Sequence, residues 1–124
     1  MRSPNTLVYI ISLLISIIAL DGFAIDFLKP RKELIIVSAS WCGPCQVVKK
    51  ELENKNSLLR EAAKHYNIKK YDFDVDKQVV KKYNVNKIPT FIIVNKDKEQ
   101  ARMVGIKQGI GDLVVFLLEN EKGR

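Results

Sequence analysis

The chain has 124 residues, 47% of them hydrophobic and 28% charged, and carries a formal net charge of +7. That length accommodates one domain, and the balance excludes disordered, collagen-like and low-complexity classes. The excess lysines are scattered, with no arginine stripe interleaved with aromatics, so they read as a solvated surface and argue against nucleic-acid binding.

Residues 1–24 differ from the rest. Arg2 gives a short positive start, Leu7 to Leu20 is almost wholly apolar, and Gly22-Phe23-Ala24 offers small residues where a signal peptidase inspects. This is the layout of a secretory signal peptide cut after Ala24. At ~1.5 Å per residue the apolar run spans about 21 Å, short of the ~30 Å hydrocarbon core. The competing reading is an uncleaved N-terminal anchor, with residues 7–20 as a membrane tether. Residues 25–124 form the folded domain on either reading, and the protein is exported (periplasmic or extracellular) or membrane-anchored.

Along the domain, Glu33 to Ala39 is a continuous β-branched apolar run, as expected for a strand buried on both faces. Gln46 to Glu53 is helical, with Val47, Val48 and Leu52 on one side, and Asn54-Lys55-Asn56 breaks it. Ser57 caps a second helix whose apolar face is Leu58, Leu59, Ala62, Ala63 and Tyr66. Tyr71, Phe73 and Val75 alternate with Asp72, Asp74 and Asp76, predicting a strand with the first two aspartates on its exposed face. Lys77 to Tyr83 is a short helix turning Val79, Val80 and Tyr83 inward. Phe91 to Val94 is a second central strand, Lys96-Asp97-Lys98 a turn, and Glu99 to Val104 an edge strand. A closing helix follows Gly109 and Gly111, with Leu113, Val114, Phe116, Leu117 and Leu118 on its apolar face. The order predicts an α/β domain with a mixed sheet covered by helices on both sides.

The chemistry lies in Trp41-Cys42-Gly43-Pro44-Cys45. Two cysteines at i and i+3, straight after a buried strand and at a helix start, share one helix face within bridging distance. The unpaired N–H groups and partial positive charge of the helix start stabilise a thiolate at the first cysteine. Cys42 is therefore expected as the exposed nucleophile and Cys45, a turn deeper, as the shielded partner. Pro44 suits the first turn, where its missing N–H is no loss. Gly43 allows a substrate backbone to approach, and Trp41 offers an apolar surface beside the nucleophile.

The run WCGPC is the active-site motif of the thioredoxin family, which the chain resembles over roughly Glu33 to Asn120. Ile88-Pro89-Thr90 is similar to the family's cis-proline segment, and Val104-Gly105 resembles the end of its last strand. The resemblance implies a thioredoxin fold with the first strand and helix shortened or missing, and with Pro89 cis and facing the disulfide. It also implies a peptide groove formed by Trp41, Pro44, Ile88, Thr90, Val104 and Gly105. The implied activity is thiol–disulfide exchange, in the reducing direction, without a dissociable cofactor. The implied partners are disulfide-bearing proteins and an upstream reductant, either a membrane electron carrier or a thioredoxin reductase; a monomer is expected. A binding or chaperone module using the same groove, and a disulfide oxidase or isomerase, are the alternative functions.

The chain departs from the family pattern beyond its shortened start: the stretch between Cys45 and the aspartate-rich strand is longer, with its Asn54-Lys55-Asn56 break, and two single residues differ. Ile36 stands where thioredoxins usually place a buried aspartate that assists proton transfer at the second cysteine, so Cys45 must lose its proton to water or another group. Gln46 follows the motif in place of the usual lysine or arginine. One Cys-x-x-Cys and the single His65 are too few ligands for a zinc site. His65 reads as a surface residue. Asp72, Asp74 and Asp76 lack the glycine-turned loop of a calcium site, and a bridge across three residues closes too small a loop to be chiefly structural.

Overall fold

The computed structural model describes residues 31–122, so the expected signal or anchor segment and the missing first strand and helix fall outside the described residues. The elements are β1 (Glu33–Ser38), α1 (Gly43–Glu53), α2 (Leu58–Ala63) and β2 (Asn67–Asp72), then α3 (Lys77–Lys82), β3 (Thr90–Asn95), β4 (Lys98–Val104) and α4 (Ile110–Glu121). The strands lie in the order β2-β1-β3-β4. β1 runs parallel to β2 and antiparallel to β3, and β4 runs antiparallel to β3. The expected mixed α/β sheet is what forms.

The two apolar runs become the two central strands because both of their faces are covered. Alternate side chains of a strand point to opposite faces. Leu34, Ile36, Phe91 and Ile93 meet Val48 of α1, Leu59 of α2 and Leu113 and Leu117 of α4. Ile35, Val37, Ile92 and Val94 form the opposite layer with Val85, against which Val80 and Tyr83 pack. Each fully buried aliphatic or aromatic side chain contributes roughly 1.5–3 kcal/mol relative to exposure, so these layers fix where β1 ends and hence where the cysteines sit.

Four sequence expectations shift, the first being Val47, which is 47% exposed on α1 and does not share the buried side of Val48. β2 occupies Asn67–Asp72 and stops where the apparent alternation was to begin. Its continuation is broken by the aspartates themselves: the Asp72 carboxylate accepts from the N–H groups of Asp74 (2.8 Å) and Val75 (3.3 Å), and Asp76 Oδ2 accepts from the Asp72 N–H (2.7 Å). Such side-chain turns compete with a ladder. Leu58 is 76% exposed, because the first position of α2 points away from the sheet. In α4 only Leu113 and Leu117 are fully buried, while Leu118 faces solvent with Val115; residues four apart share a face, and the fifth has rotated off it.

Tyr66 ties the end of α2 to α4 by donating its hydroxyl to the Leu117 carbonyl at 2.5 Å. Burial, with Glu121 nearby, pushes its phenol up to about 12. An unfolded tyrosine ionises near 10, so this stabilisation is fully present below about pH 10 and is lost as pH rises through the folded value. Alkaline unfolding should therefore include a Tyr66 component between about pH 10 and 12, and Tyr66→Phe should flatten stability against pH in that window. Chemical denaturation at stepped pH measures it. An unchanged slope in the variant would show that other groups govern alkaline unfolding.

Candidate active site

The cysteine motif is placed by the end of β1 and the start of α1. After Ser38 the chain turns through Ala39 and Trp41, and Cys42 serves as N-cap of α1 with extended backbone (φ −88°, ψ 114°). Gly43 and Pro44 occupy the first turn, where proline's lack of an N–H costs no hydrogen bond. A Cβ at Gly43 would meet nothing within 4 Å, so this side of the turn faces open space. Cys42 and Cys45 are joined by a disulfide with their Cα atoms 5.2 Å apart. The Cys45 N–H donates to Cys42 Sγ at 3.3 Å. One of the helix's orphan donors is thus aimed at the sulfur. The Gln46 amide donates to the carbonyls of Ala39 and Ser40, both at 3.3 Å, fastening the helix to the turn before it.

Cys42 is 6% and Cys45 3% exposed. The expectation of an exposed first sulfur is corrected accordingly. Both cysteines pack with Ala39, and Phe73 and Ile88 close over the cluster. Trp41, 66% exposed, extends the apolar surface outward, and its indole Nε1 donates to Asp74 Oδ2 at 2.7 Å. Asp74 therefore belongs to a loop that holds the tryptophan, and Phe73 in the same loop touches the sulfur cluster. Sequence reading assigned both residues to a strand. The signal available was the aspartate repeat at 72, 74 and 76, which marks a turn as readily as a strand face.

The remaining expected residues gather on the neighbouring loop and strand. The Ile88–Pro89 bond is cis, and the Pro89 carbonyl accepts from the Gly105 N–H at 2.8 Å. Gly105 has φ +76°, a left-handed conformation suited to glycine, while the space around it is open. Val104 lies opposite Thr90 in the β3–β4 ladder and is 42% exposed. Thr90 is buried, with its hydroxyl donating to the Lys87 carbonyl at 2.5 Å. Its side chain therefore fixes the turn before β3 and faces no groove. His65 is at the surface, with Nδ1 3.2 Å from Glu121 Oε1, remote in sequence from the cysteine motif. Among the described residues no group of three or more His, Cys, Asp or Glu could hold a metal ion.

A mixed sheet between helices, with a Cys-x-x-Cys disulfide at a helix start, defines a thioredoxin-fold thiol–disulfide protein. The thioredoxin family model matches residues 17–117. The chain is 33% identical over 94 residues to thioredoxin of Chlamydia trachomatis, covering 76% of this chain and 87% of that one. It is 32% identical over 83 residues to thioredoxin H2 of Arabidopsis thaliana, covering 65% of this chain and 59% of the relative. The crystal structure of Fasciola hepatica thioredoxin superposes with a TM-score of 0.61 at 26% identity, covering 79% of this chain and 88% of that one. The chain belongs to the thioredoxin family and is a thiol–disulfide oxidoreductase.

Proposed function

We propose that the protein reduces disulfides in other proteins by cycling Cys42 and Cys45 between dithiol and disulfide. The observation that carries this reading is Cys42 Sγ at the N-cap of α1, accepting the Cys45 N–H. Partial positive charge and a directed donor favour an ionised sulfur there. The Cys42 thiolate attacks a substrate disulfide, forming a mixed disulfide and releasing one substrate thiolate. Cys45 then attacks Cys42, releasing the second substrate thiolate and closing the Cys42–Cys45 bond. Two electrons pass from the cysteine pair to the substrate, and no dissociable cofactor takes part.

The surface around the sulfurs supports recognition of an extended peptide. Trp41, Ile88, Val104 and Gly105 supply apolar area and main-chain groups beside the cis-proline loop, and Asp74 holds the indole in place. The oxidised protein needs a donor to recharge it, a membrane electron carrier or a thioredoxin reductase. Export, by a cleaved leader or with residues 7–20 kept as an anchor, is part of the same proposal and rests on the sequence of residues 1–24.

Cys45→Ser is the direct test. It keeps the attacking sulfur and removes the resolving one, so substrates should accumulate as covalent adducts that run at higher mass on non-reducing gels and disappear with reductant. Absence of adducts would argue for a module that binds without exchanging. Direction is read from the reduction potential: a value near −270 mV, as for thioredoxin, supports a reductant, and one well above −200 mV supports an oxidase or isomerase.

A further inference from the structure

Away from the sulfurs, an open groove of about 580 Å³ lies where the ends of α1 and α2 meet the start of β2. Four cationic side chains border it, Arg31, Arg60, Lys64 and Lys70, against the one carboxylate of Glu53. The Arg31 guanidinium donates to the Lys64 carbonyl at 3.0 Å, and that of Arg60 to the Glu53 carbonyl at 3.2 Å. Each is thus fastened to a helix end by one of its five N–H donors, with the others left over. Neither arginine has a carboxylate partner among the described residues.

The charges around the groove do not cancel. Glu61 offsets Lys64, with which it pairs at 2.8 Å, and Glu33 is taken by Lys69 on the other face of β2. Asp72 lies outside the groove lining on the same face as Lys70; its carboxylate keeps its charge and offsets that lysine in part. The two arginines therefore form the fixed centre of the patch, with Glu53 alone opposing them. Planar guanidiniums held in place with spare donors suit the oxygens of a phosphate.

The sequence indicates which phosphate is within reach. Arg31 follows the apolar run that ends at Leu20 by a linker of residues 21–30, which extends at most about 33–36 Å. A domain on so short a leash from a bilayer stays among its headgroups. We propose that the groove seats the domain on an anionic lipid surface, with Arg31 and Arg60 on the lipid phosphates. Arg31 and Asn67 stand at the groove end of β1 and β2, while the cysteines follow the other end of β1, roughly 15–20 Å along the strand. Seated on its arginines, the domain holds the disulfide off the bilayer and open to partners.

This inference takes from the proposed export only that the chain meets a membrane, and one experiment reads the two separately. The full chain is floated with vesicles of phosphatidylcholine, alone or mixed with phosphatidylglycerol. Each arginine is then followed by its rate of modification with phenylglyoxal, read by mass spectrometry. A cation at an anionic surface shifts the balance about fivefold, so Arg31 and Arg60 should react roughly twentyfold more slowly on the mixed vesicles. High salt should abolish the difference. Arg102, paired with Glu99 on β4 at the opposite edge of the sheet, is the internal reference and should react alike on both. Arg60→Gln should weaken the protection of Arg31 about fivefold, and Arg60→Lys should keep it. Equal rates on both vesicles would overturn the inference, as would full protection of Arg31 in Arg60→Gln. Equal protection on neutral vesicles by added inorganic pyrophosphate or polyglutamate would overturn it too, assigning the groove to a soluble phosphate or an acidic polypeptide. Failure to float with neutral vesicles, with protection kept on the mixed ones, would overturn the anchor and support the groove.

Discussion

Cys42→Ser is expected to reduce turnover of a protein disulfide, such as that of insulin, to the uncatalysed background. A serine hydroxyl is a far weaker nucleophile at neutral pH than a thiol, and it has no sulfur with which to form the mixed disulfide. The substitution also isolates chemistry from folding. Cys42 is the N-cap of α1 and its sulfur accepts the Cys45 N–H, a duty that serine performs at least as well. The variant should therefore melt within a few degrees of the reduced parent while losing all turnover. Retained turnover would assign the attacking sulfur to Cys45, and a collapsed melting temperature would mean that the cysteine serves the fold first.

Phe91→Ala should produce the largest loss of stability from a single substitution. Phe91, the second residue of β3, is wholly buried opposite Ile36 of β1 and Met103 of β4. It belongs to the layer that joins the sheet to α1, α2 and α4. Truncating a buried phenylalanine costs about 3–5 kcal/mol, because the packed surroundings relax only partly into the space left. A domain of this size has roughly 5–15 kcal/mol in total. The loss corresponds to a melting temperature lower by at least about 12 °C, measurable by calorimetry on the reduced protein. Phe91→Leu, which keeps most of the volume, should recover much of it. A shift of only a few degrees for the alanine variant would mean that the layer closes over the gap.

The parts legible in the sequence were those that burial alone determines. Leu34 to Val37 and Phe91 to Val94 are continuous apolar runs, and only a strand covered on both faces accommodates them. The sulfur pair was legible because its spacing, its proline and the preceding strand agree. The stretch from Asn67 to Asp76 was misread, since β2 carries lysines where an edge strand meets water and the apolar alternation belongs to the turn beyond it. Asp74 was missed for a related reason: it matters through a group far away in sequence, the indole of Trp41, and no local pattern encodes such a meeting. The low exposure of Cys42 likewise depends on Phe73 and Ile88 arriving from other segments.

β1, which delivers the sulfurs, is hydrogen-bonded along both sides, to β2 and to β3. A strand gripped in this way has little freedom to slide or tilt when the bond at its tip opens or closes. The bond at the tip of β1 can thus open and close above a sheet that holds its register. In the proposed exchange cycle the difference between the two forms is then concentrated at the sulfurs, a spot a few ångströms across.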